Sequence, residues 1–259
     1  MTDASDFEGV INFRDFGGIP GAGGRTIRRG RLFRSGHHAA ATDADLERIA
    51  ALDFALLVDL RRPPERIRDV ARRPEGGRAR LLEHNGPTEG AAPPHLAFLA
   101  DPASTAETVK RQMVVGYRGY PFDPHYIAVY RDYFALLAEL DGPVLINCHA
   151  GKDRTGFLCA LTLHVLGAAP EAIVEDYLAT NRFNRADARM AEMRAQFELN
   201  QGYPLSEEMA RVMLSVDEAW LAAAFDEVSS RHGGVDAYLA EVIGLTDAGR
   251  AAIRDRLLV

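Results

Sequence analysis

The amino-acid sequence predicts an α/β fold in which a central, mostly parallel sheet is flanked by helices. Short apolar runs alternate with longer helical patterns over the first two thirds of the chain, as expected for strands joined by crossover helices. Residues 54–58 and 143–146 are two such runs. The second run leads through a glycine-containing loop into an apolar helix, which is typical of a ligand site at one edge of a parallel sheet.

Each element follows from local signals. Strands are predicted at residues 26–34, 54–60, 79–84 and 143–147. Helices are predicted at residues 42–52, 103–116, 124–140, 170–180 and 246–257, and another follows the loop at residues 148–156 and ends near Leu166. Thr42 supplies a side-chain oxygen for a helix start, Gly167 ends one helix, and Pro170 begins the next. Residues 87–102, rich in Pro, Gly and small side chains, are predicted to form a loop.

Length and composition indicate one large globular domain spanning residues 1–259. The chain has 259 residues, of which 47% are hydrophobic and 26% are charged, as in soluble proteins. Residues 183–227 are predicted to form a helical insert or lid within this domain. Four of the six methionines lie there, and methionine suits surfaces that adapt to varied apolar partners. An ordinary packed helical hairpin is the alternative.

Charge and cysteine content exclude several classes of protein. A formal net charge of −7 disfavours nucleic-acid binding. The two cysteines, Cys148 and Cys159, cannot form a disulfide framework, and no apolar segment is long enough to cross a membrane. The acidic, polar N-terminus shows no signal peptide, so a reducing, cytoplasmic location is expected. The sequence does not indicate an oligomeric state.

The most specific functional signal is residues 148–156, Cys-His-Ala-Gly-Lys-Asp-Arg-Thr-Gly. Five residues separate Cys148 from Arg154, and the helix that follows offers backbone N–H groups without internal partners, which favour anions. Gly151 allows the loop to turn tightly. A thiol beside such N–H groups and a guanidinium favours its nucleophilic thiolate form. The loop therefore combines a nucleophile with an anion cradle.

The implied reaction is hydrolysis of a phosphomonoester through a phosphocysteine intermediate. Cys148 attacks phosphorus, and Arg154 grips two phosphate oxygens. The hydroxyl of Thr155 is placed to bond the sulfur. The predicted phosphate-binding residues are His149, Ala150, Gly151, Lys152, Asp153 and Arg154. No metal or other cofactor is expected, and the absence of the required Ser or Thr after Gly151-Lys152 excludes a nucleoside-triphosphate P-loop.

The loop resembles the signature of the cysteine-dependent protein-tyrosine phosphatases, and its variant resembles a bacterial subfamily with tyrosine and dual specificity. Some members of that subfamily also dephosphorylate phosphoinositides. Three earlier blocks match in order: residues 12–18, residues 32–36, and residues 58–61 with Glu65 nearby. The resemblance implies a tyrosine-phosphatase-like fold, with Arg14 near the loop. It implies a phosphorylated protein or a phosphoinositide as substrate. Asn147 departs from the family, which usually has histidine before the nucleophile.

Two aspartates compete for the role of general acid, which protonates the leaving oxygen. Asp59 follows an apolar run and is predicted at the carboxyl edge of the sheet, and the resemblance also points to it. Asp153 lies inside the phosphate loop, as in related loops thought to use it. We favour Asp59, and the alternative for this residue is a structural salt bridge to Arg61, Arg62 or Arg14.

Basic residues suggest further contacts. Lys152 and Lys110 are the only lysines among 30 basic residues, and a flexible charge in the loop suits additional phosphates. The arginines between residues 61 and 80 are most simply interpreted as a solvated surface, and the alternative is that they steer anionic substrates or touch anionic lipid. His37 and His38 suggest a metal site, but the sequence offers no third ligand at a telling spacing.

Two other classes of function remain open at this stage. A catalytically silent phosphate-binding module would keep the loop and Arg154 without turnover. A thiol-based redox or arsenate-type enzyme would also use an acidic thiol beside an anion cradle, but it normally needs a second, resolving cysteine. Cys159, on the helix after the loop, is poorly placed for that role.

Overall fold

A computed structural model describes residues 7–85 and 101–259 and has the predicted α/β architecture. Its five strands are β1 (Arg14–Asp15), β2 (Leu32–Ser35), β3 (Leu56–Asp59), β4 (Arg80–Leu82) and β5 (Val144–Asn147). They form one sheet in the order β1-β2-β5-β3-β4 within the described residues. The β2–β5, β5–β3 and β3–β4 pairs are parallel, and only β1 runs antiparallel to its neighbour β2. The prediction of a mostly parallel sheet is therefore confirmed.

Helices follow or connect the strands. The first six are α1 (Asp43–Ala51), α2 (Pro63–Arg68), α3 (Ala106–Gly119), α4 (Pro124–Glu139), α5 (Asp153–Val165) and α6 (Pro170–Phe183). The later ones are α7 (Ala186–Gln201), α8 (Glu207–Leu214), α9 (Glu218–His232), α10 (Val235–Tyr238) and α11 (Asp247–Leu257). A π-helical turn, Leu239–Ile243, continues α10. No helix in these two ranges has the length and apolar character needed to cross a bilayer.

Strand periodicity divides the core between the two faces of the sheet. Along β5, Val144 and Ile146 join the larger core, built with α3, α4, α5 and α9, whereas Leu145 points to the other face. There it meets a cluster of aromatic side chains that includes Phe33 of β2. Successive residues of a strand point to opposite faces, so one short apolar run serves both cores.

Local signals set most helix boundaries. Thr42 caps α1 in a reciprocal pair with Asp45, Pro170 occupies the first turn of α6, and Thr246 caps α11. The strand predicted at residues 26–34 begins only at Leu32, because Gly30 turns the chain with a φ of +73°. Of the predicted loop at residues 87–102, residues 87–100 lie outside the described part of the chain.

Three parallel strands end side by side and position the site. Ser35 of β2 pairs with Asn147 of β5, and Asn147 pairs with Asp59 of β3. The loops that leave these strands therefore start at the same edge of the sheet. Because the carboxyl edge of parallel strands is where α/β proteins gather ligands, this is where Cys148 emerges.

The segment 183–227 contains α7, α8 and the first part of α9. No residue of α7 is buried, whereas α8 buries four side chains: Met209, Ala210, Val212 and Leu214. Helix α9 packs closely on α3 and buries Trp220. The segment thus passes from a solvated helix to one that belongs to the main core.

Candidate active site

Cys148 lies at the bottom of a tight loop between β5 and α5. Its side chain is 1% exposed, and it lines a cavity of about 310 Å³ together with Arg154. Gly151 makes the loop's sharp turn with a φ of +67°, and a Cβ there would lie 2.2 Å from the carbonyl oxygen of Ser35. Only glycine fits this close approach of two backbones.

Surrounding groups hold the carbonyl oxygens of the loop on its outer side. The backbone N–H of His37 donates to the His149 carbonyl at 3.1 Å. The Asn12 amide donates to the Gly151 carbonyl at 2.7 Å, and Arg34 donates to the same oxygen at 3.0 Å. In a trans peptide the next N–H points the opposite way. The N–H groups that follow these carbonyls, those of Ala150 and Lys152, therefore point away from these donors, and both residues line the cavity.

A buried network of side chains fixes Asn12 and Arg34, which donate to the loop carbonyls. Asp176 of α6 accepts from Arg34 at 2.7 Å and from Arg14 at 3.3 Å, and Arg14 also bonds the Asn12 side chain. Burial opposes the charge on Asp176, but the two guanidiniums outweigh it and hold the pKa of Asp176 below its usual range. Arg14 was predicted near the loop, whereas Asn12 and Arg34 were only part of matching blocks. Asp176 carried no sequence signal.

Glu65 of α2 orients the guanidinium of Arg154. The two side chains form paired hydrogen bonds of 2.6 and 2.8 Å, which fixes the plane of the guanidinium at the cavity wall. Burial disfavours the charged carboxylate, but Arg154 and the backbone N–H of Arg62 outweigh it and lower the pKa of Glu65 to about 2. The sequence placed Glu65 only near a matching block and assigned it no role.

The Glu65→Gln variant is expected to lose about 3 kcal/mol of unfolding free energy near neutral pH. This figure follows from the difference between the unfolded and folded pKa values of Glu65, at about 1.4 kcal/mol per pH unit. The pKa of Glu65 is lowered on folding, so its contribution is present above the unfolded value of 4.5 and disappears as pH falls toward 2. Urea unfolding of both proteins across this range measures the difference. A matched control is Glu83→Gln, whose ion pairs with Arg66 and Arg73 are long, at 3.5 and 3.9 Å, so we expect a change below about 1 kcal/mol. A loss from Glu65→Gln that does not vary with pH would contradict this account.

Asp153 is the acidic residue of the loop that faces the cavity. It is the first residue of α5 and lines the cavity with Cys148 and Arg154. The hydroxyl of Tyr117 donates to its Oδ1 at 2.8 Å. Burial raises the pKa of Tyr117 well above its usual range, so this hydroxyl stays protonated and orients the carboxyl group.

Asp59, the aspartate that the sequence favoured as general acid, is engaged elsewhere. Its side chain is 2% exposed and binds the Arg61 guanidinium through both oxygens, at 2.7 and 2.9 Å for the shortest contacts. The Asn147 amide also donates to it at 3.2 Å. Within the described residues, the cavity lining includes Asp153 but not Asp59. Asp59 therefore forms the structural salt bridge to Arg61 that was the alternative interpretation of this residue.

Two more predicted site residues, Lys152 and Thr155, differ in their contacts. Lys152 is largely buried, and its ammonium donates to the Ser215 carbonyl at 3.0 Å, 3.5 Å from Asp153 and over the Trp220 ring. The Thr155 hydroxyl is buried without a hydrogen-bond partner among the described residues, so the predicted bond to the Cys148 sulfur is not formed here. Lys152 thus ties the loop to the α8–α9 connection.

Helices α3, α7 and α8 supply an apolar wall of the cavity. The side chains on this wall are Met113, Met193, Met213 and Leu214. Basic side chains, Arg68 and Arg189, lie among the lining residues together with Asn184. The cavity therefore offers an anion site at its base and apolar surface above it.

Comparisons with known proteins agree with this geometry. The model of the tyrosine phosphatase family matches residues 5–259. A Cupriavidus necator protein named as a tyrosine-protein phosphatase is 34% identical over 92% of this chain and 83% of its own length. The triple specificity protein phosphatase PtpB of Mycobacterium tuberculosis is 31% identical over 98% of both chains. A tyrosine-protein phosphatase of Nostoc commune is 26% identical over 98% of this chain and 84% of its own length. The chain therefore belongs to the tyrosine phosphatase family.

Proposed function

We propose that this protein hydrolyses phosphotyrosine through a phosphocysteine intermediate, with Asp153 as the general acid. The observation that carries the proposal is the cavity that Cys148, Asp153 and Arg154 share. A nucleophile, a proton donor and a bidentate oxyanion ligand thereby face the same space. The braced carbonyls of the loop orient backbone N–H groups toward it, which suits the charge on a transferring phosphoryl group.

The reaction divides into two displacements. In the first, the Cys148 thiolate forms a bond to phosphorus, the bond to the leaving oxygen breaks, and Asp153 gives that oxygen a proton. In the second, a water molecule attacks phosphorus, the Asp153 carboxylate takes its proton, and the sulfur–phosphorus bond breaks to release phosphate and the thiolate. Arg154 and the loop N–H groups hold the phosphate oxygens in both steps.

The cavity wall favours an aromatic leaving group. Methionine sulfur makes favourable contacts with aromatic rings, and three methionines line the wall above Cys148. The relative from M. tuberculosis is named for triple specificity, so we include phosphoserine, phosphothreonine and phosphoinositides as secondary substrates. Lys152 supports them only by raising positive potential, because its ammonium is held by Ser215.

The test is a substrate panel with a chelator present throughout. It contains p-nitrophenyl phosphate, a phosphotyrosine peptide, its phosphoserine and phosphothreonine counterparts, and phosphoinositides in micelles. We expect the highest kcat/KM on the phosphotyrosine peptide and none of these activities in Cys148→Ser. Purified, folded protein that hydrolyses no member of the panel would overturn the proposal and leave the silent phosphate-binding module as the explanation.

The thiol-redox alternative receives no support from the second cysteine. Cys159 is fully buried on α5, and burial raises the pKa of its thiol to about 12. A resolving thiol must ionise to attack, which this environment opposes. We therefore retain phosphoryl transfer as the single proposed chemistry.

We further propose that residues 183–227 belong to the single domain and that α7 and α8 act as a cover over the cavity. Met193 of α7 and Met213 of α8 line the cavity, although no residue of α7 is buried. Helix α7 has no buried residue and therefore opens at low free-energy cost, whereas the buried side chains of α8 anchor the cover to the core. Bound vanadate is expected to slow amide hydrogen exchange in α7 and α8. Unchanged exchange there, with slowed exchange in residues 148–154, would identify a fixed hairpin instead.

A further inference from the structure

Three potential metal ligands meet at the rim of the cavity. His37 follows β2, Asp69 follows α2, and His149 directly follows Cys148. One donor atom of each lies within 4.8 Å of the donor atoms of the other two. The sequence offered no third ligand for His37, but the fold brings two from positions 32 and 112 residues away along the chain.

One pair of these donor atoms already has nearly the spacing that a metal ion requires. His149 Nδ1 lies 3.7 Å from Asp69 Oδ2, and the rings of His37 and His149 stack with centroids 4.7 Å apart. Bonds of about 2.0–2.2 Å in a tetrahedral site place neighbouring ligand atoms about 3.4 Å apart. The other donor atoms lie at most 4.8 Å apart, which exceeds this spacing by no more than about 1.4 Å.

His149 Nδ1 lacks a partner in the described structure. The atom is buried, accepts and donates no hydrogen bond there, and lies too far from Asp69 for one. A buried nitrogen without a partner is unfavourable, so it gains from a ligand that supplies one. The rest of the His149 side chain is 41% exposed, which leaves a route from solvent.

Two existing contacts compete with a cation without blocking it. Arg68 donates to Asp69 Oδ2 through two nitrogens of its guanidinium, at 2.7 and 2.9 Å. This is the same oxygen that lies 3.7 Å from His149 Nδ1. A carboxylate has about four acceptor positions on its two oxygens, so Asp69 has positions for both Arg68 and a metal. The Ala39 N–H donates to His37 Nδ1 at 3.1 Å. Coordination through Nδ1 exchanges this bond for one to the metal, whereas coordination through Nε2 keeps it.

We propose that His37, Asp69 and His149 bind a zinc-like divalent cation beside the phosphate cavity, and that its binding inhibits turnover reversibly. Two imidazoles and a carboxylate are a donor set that suits Zn²⁺ and leaves a coordination position open. His149 lines the cavity, so the open position lies close to the bound phosphate. A cation there attracts phosphate oxygens away from Cys148 and Arg154 and slows transfer and release.

The binding test uses Co²⁺, whose visible absorption reports coordination, and Zn²⁺ in calorimetry. Both are titrated into Cys148→Ser protein, so the thiolate cannot be the ligand. We expect a single equivalent to bind with the absorption of a four- or five-coordinate nitrogen–oxygen site. Adding His37→Asn or Asp69→Asn is expected to weaken binding by at least about 10-fold, the lower range for loss of a supporting group at a metal site. The matched control His84→Asn removes a histidine paired with Asp132 at 2.8 Å and is expected to leave the affinity unchanged.

Inhibition is measured separately, as the ratio of activities with Zn²⁺ and with chelator in each protein that retains Cys148. Wild-type activity is expected to fall when Zn²⁺ is added and to return when chelator follows, so its ratio lies well below one. The ratio for His37→Asn is expected to stay near one. The site is overturned if neither Co²⁺ nor Zn²⁺ binds to Cys148→Ser protein. It is also overturned if His37→Asn and Asp69→Asn both leave the metal affinity unchanged. Equal inhibition of wild type and His37→Asn overturns the inhibitory role and assigns the metal to the thiolate. Circular dichroism checks that each variant is folded. If His37→Asn does not fold, the inhibition of Asp69→Asn by Zn²⁺ is compared with wild type instead.

Discussion

Replacing Cys148 with serine is expected to lower kcat toward phosphotyrosine by at least about 10⁴-fold, a loss of the size found when an enzyme loses its nucleophile. The residue lies in a nearly closed position at the bottom of the cavity, and serine fills the same space with a far less acidic hydroxyl. The braces on the loop carbonyls involve Asn12, Arg34 and backbone groups, all of which remain. Binding of inorganic phosphate should therefore survive.

Two measurements separate these effects. Mass spectrometry of acid-quenched wild-type protein should show one added phosphoryl group on the peptide that contains Cys148, and none in the variant. Isothermal titration with phosphate should give similar affinities for both proteins. A phosphoryl group found on the neighbouring His149, or turnover that persists in Cys148→Ser, would show that sulfur is not the nucleophile.

The Asp153→Asn substitution is expected to reduce kcat by about 10²–10⁴-fold, the usual contribution of a general acid. Asn keeps the side-chain volume and still accepts the hydrogen bond from Tyr117, so the loop should keep its shape. The loss should be greatest for substrates with a poor leaving group, such as phosphoserine. It should be smaller for p-nitrophenyl phosphate, because its p-nitrophenolate ion leaves without needing a proton. The alkaline limb of the pH–rate profile should disappear.

Asp59→Asn is expected to act on folding instead. It leaves the buried Arg61 guanidinium without its carboxylate, which costs about 3–5 kcal/mol when a buried ion pair is broken. Urea unfolding measures this loss, and kinetics of the folded fraction should keep the normal dependence on the leaving group. A stable Asp59→Asn protein that loses the alkaline limb would restore Asp59 as the acid and remove Asp153 from that role.

Local patterns were sufficient for much of the architecture. The cap at Thr42, the proline that starts α6 and the apolar run of β5 each act over a few neighbouring residues, so the chain itself carries the information. Strand boundaries were less well predicted. The two-residue β1 was not predicted, because such an edge strand exists only through its pairing with β2.

Neighbouring residues are enough to define the phosphate loop, in which Cys148, Gly151, Asp153 and Arg154 lie within seven residues between a strand and a helix. The folded arrangement was needed to show that Asp59 is engaged by Arg61 and that Asp153 faces the cavity. It also decided that Glu65 orients Arg154 and that His37 meets Asp69. A loop and its helix are built by neighbours in the chain. The partners of Arg154 and His37 come instead from α2 and the residue that follows it, which only the folded sheet brings beside them.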